Sequence, residues 1–304
     1  MTFAYNSIGK GRPRREQPVD RPIPVGPIPV TAIVLTYNEA VNITRCLEAI
    51  GAIADVVIVD SFSTDETLRL AETARPDVRV FSHAFEDFGD QRNWALSHCA
   101  PRYPWVLFVD ADEYCTPAFL EELAAFAAAP GGYAGAFVAG KSYFLGRWVK
   151  YSSLYPSYQL RLLRLGQVRY RKEGHGQKEV TDRALCYFTE GWRHEGFSKG
   201  VHQWIERQNR YGTEEVGSIL ELRKEPIGWR ELFSHEPVKR RRCLKRIGAK
   251  LPLRPLVRFC YVYVLKKGFL DGLPGLLYCL LYLCNDIHLI VKIREQRYRG
   301  NCEV

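Results

Sequence analysis

The 304-residue chain has no CxxC pair among its nine cysteines and no G-x-G-x-x-G. It also has no G-x-x-x-x-G-K-[ST], and no zinc-type spacing among those cysteines and its seven histidines. The cysteine count is odd, and thiols such as Cys46, Cys99, Cys260, Cys279 and Cys284 sit inside apolar runs. This argues against a disulfide framework and for buried thiols in a reducing compartment. The other absences remove support from dinucleotide, P-loop and zinc readings. The N-terminal stretch MTFAYNSIGKGRPRREQP contains no apolar h-region, so no signal peptide is read and a cytoplasmic location is expected. No internal repeat is found, which sets solenoids aside.

What is present is ordinary globular composition, with 46% hydrophobic and 25% charged residues. That excludes a mostly disordered chain, a collagen and a coiled coil. The length suits one large α/β domain, or one domain with an appendage. The net charge of +9 is unevenly placed: residues 223–267 hold 14 Lys/Arg and 3 acids. One surface is therefore expected to meet something anionic. Residues 1–29, rich in Pro, Gly and Arg, read as a flexible basic arm.

From Val30 the pattern alternates. Apolar runs at Val30–Leu35, Asp55–Asp60, Val78–Val80 and Trp105–Asp110 read as buried parallel-type strands. Between and after them, helical spacing occupies residues 39–50, a stretch opening at Ser61 and running to about Ala74, Asp90–Cys99 and 117–128. The alternation predicts an α/β fold, a mostly parallel sheet flanked by helices. Shorter alternating runs at 136–138 and 158–164 predict added, partly antiparallel strands, and 198–221 reads as a helix.

In such a sheet, ligands bind beyond the carboxyl ends of the strands. Three predicted strands end in polar residues: Thr36-Tyr37-Asn38-Glu39, Asp60-Ser61 and Asp110-Ala111-Asp112. Any one of these is ordinary turn chemistry. Together they gather carboxylates at one edge, which is costly without a cation or a hydrogen-bonding ligand. An Asp-x-Asp at a strand end can face one hard cation, Mg²⁺ or Mn²⁺, and leave coordination sites open for phosphate oxygens.

The strings AIVLTYNEA, VVIVDSFSTDET, GDQRNWAL and WVLFVDADE, in this order and spacing over residues 30–130, resemble the family 2 glycosyltransferases. The later stretches QLRLLRLG, EGHGQKEV, HEGFSKGVHQWIERQNRYG and RFCYVYVLKKGFLDGLPGLLY resemble its bacterial lipopolysaccharide-core and exopolysaccharide subgroup, which includes β-1,4-glucosyltransferases. The resemblance implies a GT-A-like fold, a nucleotide-diphosphate-sugar donor (UDP-glucose by resemblance) and a divalent metal, Mg²⁺ or Mn²⁺. It places Thr36, Tyr37 and Glu39 at the nucleotide and Asp60 at the base. Asp90 and Arg92 fall near the ribose and diphosphate, Asp110 and Ala111 at the donor, and Asp112, with Asp110 beside it, at the metal. The chain departs from the common pattern where Ser61-Phe62 stand in place of Asp-Gly.

The chain is expected to divide into a donor-binding subdomain at 30–130, an acceptor-binding part at 131–222 and, from its basic and apolar content, a membrane-associating helical region at 223–304. Inverting transfer needs a general base to deprotonate the acceptor hydroxyl. The candidates are Glu173, Glu179 and Glu195, with Glu173 favoured for its place in Lys-Glu-Gly-His and His175 able to orient or replace it. Residues 273–291 reach spanning length, but Asn285, Asp286 and His288 interrupt them. An amphipathic or shallowly inserted helical pair on an anionic membrane surface is expected, peripheral on the cytoplasmic membrane. A core hairpin or a dimer interface, and a true transmembrane span, are the competing readings of that segment. For the whole chain the rivals are polyprenyl-phosphate glycosyl transfer and a non-catalytic nucleic-acid-binding protein. Nucleic acid is set aside as a partner because the strand-end carboxylates would repel phosphates in the absence of a metal.

Overall fold

The computed structural model describes residues 26–302 apart from 174–175, 233–236 and 252; of residues 172–173, 176–177, 237–242, 245 and 300–302 it describes the backbone alone. The chain divides into two compact units, one of residues 1–143 and 155–198, the other of residues 144–154 and 199–304.

The first unit runs β1 (Ile28–Thr36), α1 (Ile43–Ala49), β2 (Ile53–Asp60), α2 (Thr67–Ala74), β3 (Arg79–Ser82), α3 (Phe88–His98) and β4 (Trp105–Asp110). It continues through β5 (Glu113–Cys115), α4 (Pro117–Ala128), β6 (Gly135–Ala139) and β7 (Lys141–Phe144). The chain then leaves for the second unit, which holds β8 (Arg147–Trp148). It returns through β9 (Tyr158–Arg164), β10 (Arg169–Glu173), β11 (Gly176–Val180), β12 (Leu185–Tyr187) and β13 (Trp192–His194).

Seven strands form the main sheet in the order β12-β6-β9-β4-β1-β2-β3. β4, β1, β2 and β3 are parallel, and β9 is antiparallel to both β4 and β6. The expected parallel sheet with partly antiparallel additions is what forms. Strand alternation sends side chains to two covered faces, which is why the strands read as continuous apolar runs. Val34, Ile58, Leu107 and Val109 pack with Ile43 and Leu47 of α1 and Phe119 and Leu123 of α4. Ile33, Val57, Val59 and Phe108 pack with Ala95 of α3 and Tyr170 of β10. Thr116 caps α4, its Oγ1 accepting from the Phe119 N–H at 3.2 Å with Pro117 in the first turn, and Asp87 caps α3.

The stretch from Ser61, expected to be helical, is a loop as far as Glu66, and α2 begins only at Thr67. Ser63 is spent on Asp60 and Thr64 on Asn38, while Asp65 accepts from the Thr67 N–H at 3.0 Å where α2 begins.

The second unit holds α5 (Gly200–Lys224), α6 (Trp229–Leu232), α7 (Pro237–Lys250), α8 (Arg254–Cys260), a π-helical turn (Tyr261–Leu265), a 3₁₀ turn (Gly268–Asp271) and α9 (Gly272–Cys302). Val216 and Ile219 of α5, Ala249 of α7, and Leu289 and Ile293 of α9 form its apolar core. Buried Asp271 accepts from the backbone N–H groups of Tyr151 at 3.0 Å and Ser152 at 2.7 Å, fastening the 144–154 excursion. Asp286, which interrupts the apolar run, lies within α9 with its carboxylate buried and accepting from Arg258 of α8 at 2.8 Å.

Phe119 is fully buried, edge-on to Trp192 at 5.5 Å and tilted against Phe188 at 5.9 Å. Phe119→Ala should lower unfolding free energy by about 3–5 kcal/mol. Urea denaturation measures this, and an unchanged midpoint would show that α4 does not close this face of the sheet.

Candidate active site

The parallel register sets the carboxyl ends of β1, β2 and β4 side by side: Thr36 lies opposite Asp60, and Leu35 opposite Asp110. Thr36 Oγ1 donates to Asp60 Oδ1 at 2.7 Å. Ser63 donates to the same carboxylate twice, from its N–H at 2.7 Å and its hydroxyl at 2.6 Å. Asp60, expected at the base, is thus 1% exposed and organises the loop that follows it.

That loop is laced to the turn after β1. Asn38 donates its N–H to Ser63 Oγ at 2.8 Å and accepts from the Thr64 N–H at 2.8 Å, while the Glu39 N–H donates to Thr67 Oγ1 at 2.7 Å. Asn42 donates to Glu39 at 2.7 Å and accepts from the Tyr114 hydroxyl at 3.0 Å. Tyr37 and Phe62, one from each loop, are more than half exposed. Phe62 stands where the common pattern has glycine and keeps the left-handed backbone, φ 61°. A bulky residue in that region carries strain of about 1 kcal/mol or more.

The GDQRN motif opens α3 and reaches the same edge. Gln91 donates to Ser61 Oγ at 3.1 Å, and Asp90 Oδ2 lies 3.8 Å from His83 Nδ1. Arg92 is buried over the rings of Phe108 and Tyr170, with an Nη 3.4 Å from Asp110. Four sequence motifs therefore meet: Thr36 on Asp60, Ser61 on Gln91, and Arg92 on Asp110.

Two residues without an assigned role complete the centre. Arg161 of β9, 2% exposed, places an Nη 2.8 Å from both Asp110 and Glu113. Glu113 in turn accepts from the Asp110 N–H at 3.0 Å. Burial alone would raise the Asp110 carboxyl, but the Arg161 and Arg92 guanidinium groups outweigh it and hold Asp110 well below the carboxylate range. For Glu113 burial prevails: despite Arg161, and with Asp110 repelling, it is pushed up to about 7. The sequence signal for Arg161 was a charge inside an apolar strand, which calls for a buried partner.

β13 pairs antiparallel with β5, setting His194 opposite Glu113. His194 Nε2 comes 3.5 Å from Asp112 Oδ2. Partial burial disfavours the imidazolium, but Asp112, then Glu113 and Asp110, lift His194 to about 9. The Glu195 N–H donates to the Asp112 carbonyl at 2.9 Å, and its carboxylate is ion-paired with Arg193. Ala111 is buried in the core, so only its backbone can serve a ligand. Glu173 ends β10, but its side chain, like the whole of His175, lies outside the described residues.

The donor set fits a divalent cation bound together with a diphosphate. Asp112 offers one carboxylate and His194, on giving up its proton to the incoming cation's charge, one imidazole, and no group of three or more such ligands exists among the described residues. A cation held this way keeps sites for phosphate oxygens. Arg92 Nε and Arg161 Nη1 are buried without hydrogen-bond partners, and they suit the same anionic group.

Arg161→Met leaves the buried Glu113 carboxyl without its cation and Asp110 with Arg92 alone, and should cost about 3–5 kcal/mol of stability. Adding Glu113→Gln should return part of it, a coupling of about 0.5–3 kcal/mol. Urea denaturation of the four proteins in the cycle measures this, and strict additivity would mean the two side chains do not interact.

A family model described as Glycosyl transferase family 2 matches residues 31–184, the stretch that carries the four motifs and Arg161. The lipopolysaccharide core biosynthesis glycosyltransferase LpsC of Rhizobium meliloti is 28% identical over 199 residues, 64% of each chain. An uncharacterized glycosyltransferase of Rickettsia felis is 33% identical over 95 residues, 31% of this chain and 32% of its own. The chain thus spans just under two thirds of LpsC and about a third of the Rickettsia protein. Among solved structures, the mannosyltransferase PcManGT of Pyrobaculum calidifontis, in complex with GDP-Man and Mn²⁺, is similar at 20% identity and a TM-score of 0.45, over 91% of this chain and 90% of that one. With its α/β sheet of the GT-A type and a family model matching half its length, the chain belongs to glycosyl transferase family 2.

Proposed function

We propose that the protein is an inverting hexosyltransferase that moves glucose from UDP-glucose to a hydroxyl of a lipopolysaccharide-core or exopolysaccharide acceptor held at the cytoplasmic membrane. The observation that carries the reading is the cluster of Asp110, Asp112 and His194 beside two buried arginines with spare N–H groups. Such a cluster binds a nucleotide diphosphate together with a cation. The relatedness to LpsC supports the lipopolysaccharide-core acceptor.

In this reading the loops after β1 and β2 hold the nucleotide, with Tyr37 and Phe62 offering exposed ring faces. Arg92 and Arg161 fix Asp110 as a carboxylate able to accept from a sugar or ribose hydroxyl. A divalent cation bound by Asp112 and His194 supplies charge neutralisation on the departing diphosphate. Alignment of the two substrates supplies much of the remaining acceleration. We assign Glu173 as the general base that takes the acceptor proton. Glu195, whose carboxylate is engaged by Arg193, is the alternative.

The test is UDP release from a panel of UDP-sugars with Mg²⁺, Mn²⁺ or EDTA. Turnover of one donor should need metal and should fall at least about a hundredfold in Asp112→Ala and His194→Ala. Glu173→Gln should lose kcat with donor affinity intact, and a loss confined to Glu195→Gln would move the base there. Absence of UDP-sugar turnover or binding would overturn the donor assignment.

A further inference from the structure

Within the second unit, α8 and the π-helical turn present an apolar face outward. Leu256 and Val257, then Tyr261, then Val264 and Leu265 recur at helical spacing and are exposed, Leu265 at 72%. The opposite face points inward: Pro255 and Val262 are buried, and Arg258 reaches Asp286 at 2.8 Å beneath the Tyr282 ring. This inverts the soluble arrangement, in which the outward face carries the charges. The 3₁₀ turn adds exposed Phe269 and Leu270.

The same inversion continues along α9. Leu273, Leu277, Leu280, Ile287 and Val291 are exposed at intervals of three, four or seven residues. Tyr278, Tyr282, Asp286 and Leu289 fill the inward side. The stripe from 273 to 291 is about 27 Å long. A contiguous apolar surface of this size marks an interaction site.

Charge selects the partner. Lys266 and Lys267 are exposed between the two apolar stretches, in a region of 14 Lys/Arg and 3 acids over residues 223–267. Lysine is depleted at the centres of protein–protein interfaces. On a bilayer, by contrast, lysine stems lie along the acyl boundary with their ammonium groups among anionic headgroups.

The segment Gly268–Arg299 has the length and hydropathy of a membrane span, yet one side of it is taken up by protein. Trp204 of α5 packs edge-on to Tyr282 at 5.3 Å, and the Asp286–Arg258 pair is internal. A helix with one face committed in this way lies in the interfacial plane rather than across the membrane.

We propose that α8, the two turns after it and the outward face of α9 form a monotopic docking surface for an anionic bilayer, with Leu265 and Phe269 entering the acyl boundary and Lys266 and Lys267 engaging headgroups. It deepens the reading of a membrane-held acceptor and rests on that reading for the bilayer as partner.

The experiment is co-sedimentation of the full chain with vesicles of phosphatidylcholine and phosphatidylglycerol in equal parts, and with phosphatidylcholine alone. The wild type should pellet with the mixed vesicles only. Leu265→Asp/Phe269→Asp should weaken that binding at least about tenfold, since it removes two large apolar side chains from the acyl boundary. Lys266→Glu/Lys267→Glu should release the protein from the mixed vesicles at physiological salt. All four positions are exposed, so thermal unfolding by circular dichroism should match the wild type. Undiminished vesicle binding by the first variant would overturn the proposal. So would a wild-type dimer that the same variant dissolves, with no vesicle binding, which would make the face a contact between two copies. UDP-sugar turnover, read without vesicles, stands apart: its absence would overturn the donor reading and leave the docking result intact.

Discussion

The site depends on Arg161. Three carboxylates, those of Asp110, Asp112 and Glu113, converge within four residues of chain, and like charges this close resist ionising together. Arg161 touches two of them at 2.8 Å from a buried position, and Arg92 adds a second cation at Asp110. The result is unequal: Asp110 is held as a carboxylate, whereas burial pushes the Glu113 carboxyl up to about 7. Asp112 is left to face His194. Burial at Glu113 and the second guanidinium at Asp110, acting beside Arg161, thus set neighbouring acids apart, and the division of labour proposed for the donor follows from that difference.

The sheet makes the arrangement possible. Arg161 comes from β9, a strand antiparallel to β4, so its side chain arrives at the end of β4 from the opposite chain direction. Glu113 and His194 come from β5 and β13, which pair beside that end. Parallel strands alone would have brought only the strand-end residues Thr36, Asp60 and Asp110 together. The antiparallel additions bring the counter-charge and the imidazole.

This explains what could be read in advance. The strands and the acids at their ends were legible because a doubly covered parallel sheet writes continuous apolar runs, each ended by polar residues. The family resemblance put Arg92 and Asp110 at one donor but did not foretell the contact between them. Arg161 and His194 were not read as site residues, because their partners lie 48 or more and 82 residues away; a charge inside an apolar strand marks Arg161 but names no partner. The loop from Ser61 to Glu66 was misread as a helix start, since Ser, Thr and Asp serve equally as caps and as loop ties. There Asp60 claims Ser63, and Asn38 claims Thr64. Asp286 looked like a break in an apolar run because its partner, Arg258, is a helix away.

The fastening of the 144–154 excursion carries a consequence for how the protein is made. The carboxylate of Asp271 that receives the Tyr151 and Ser152 N–H groups lies 120 and 119 residues further along the chain. At ribosomal speed that separation is about 6–24 s of synthesis. Throughout that interval the excursion has emerged without its cap, while the chain on both sides of it can already build the sheet. The order of translation therefore leaves one loop waiting, and the growing chain passes through a stage in which the first unit can be complete and this loop is still open to proteases and chaperones.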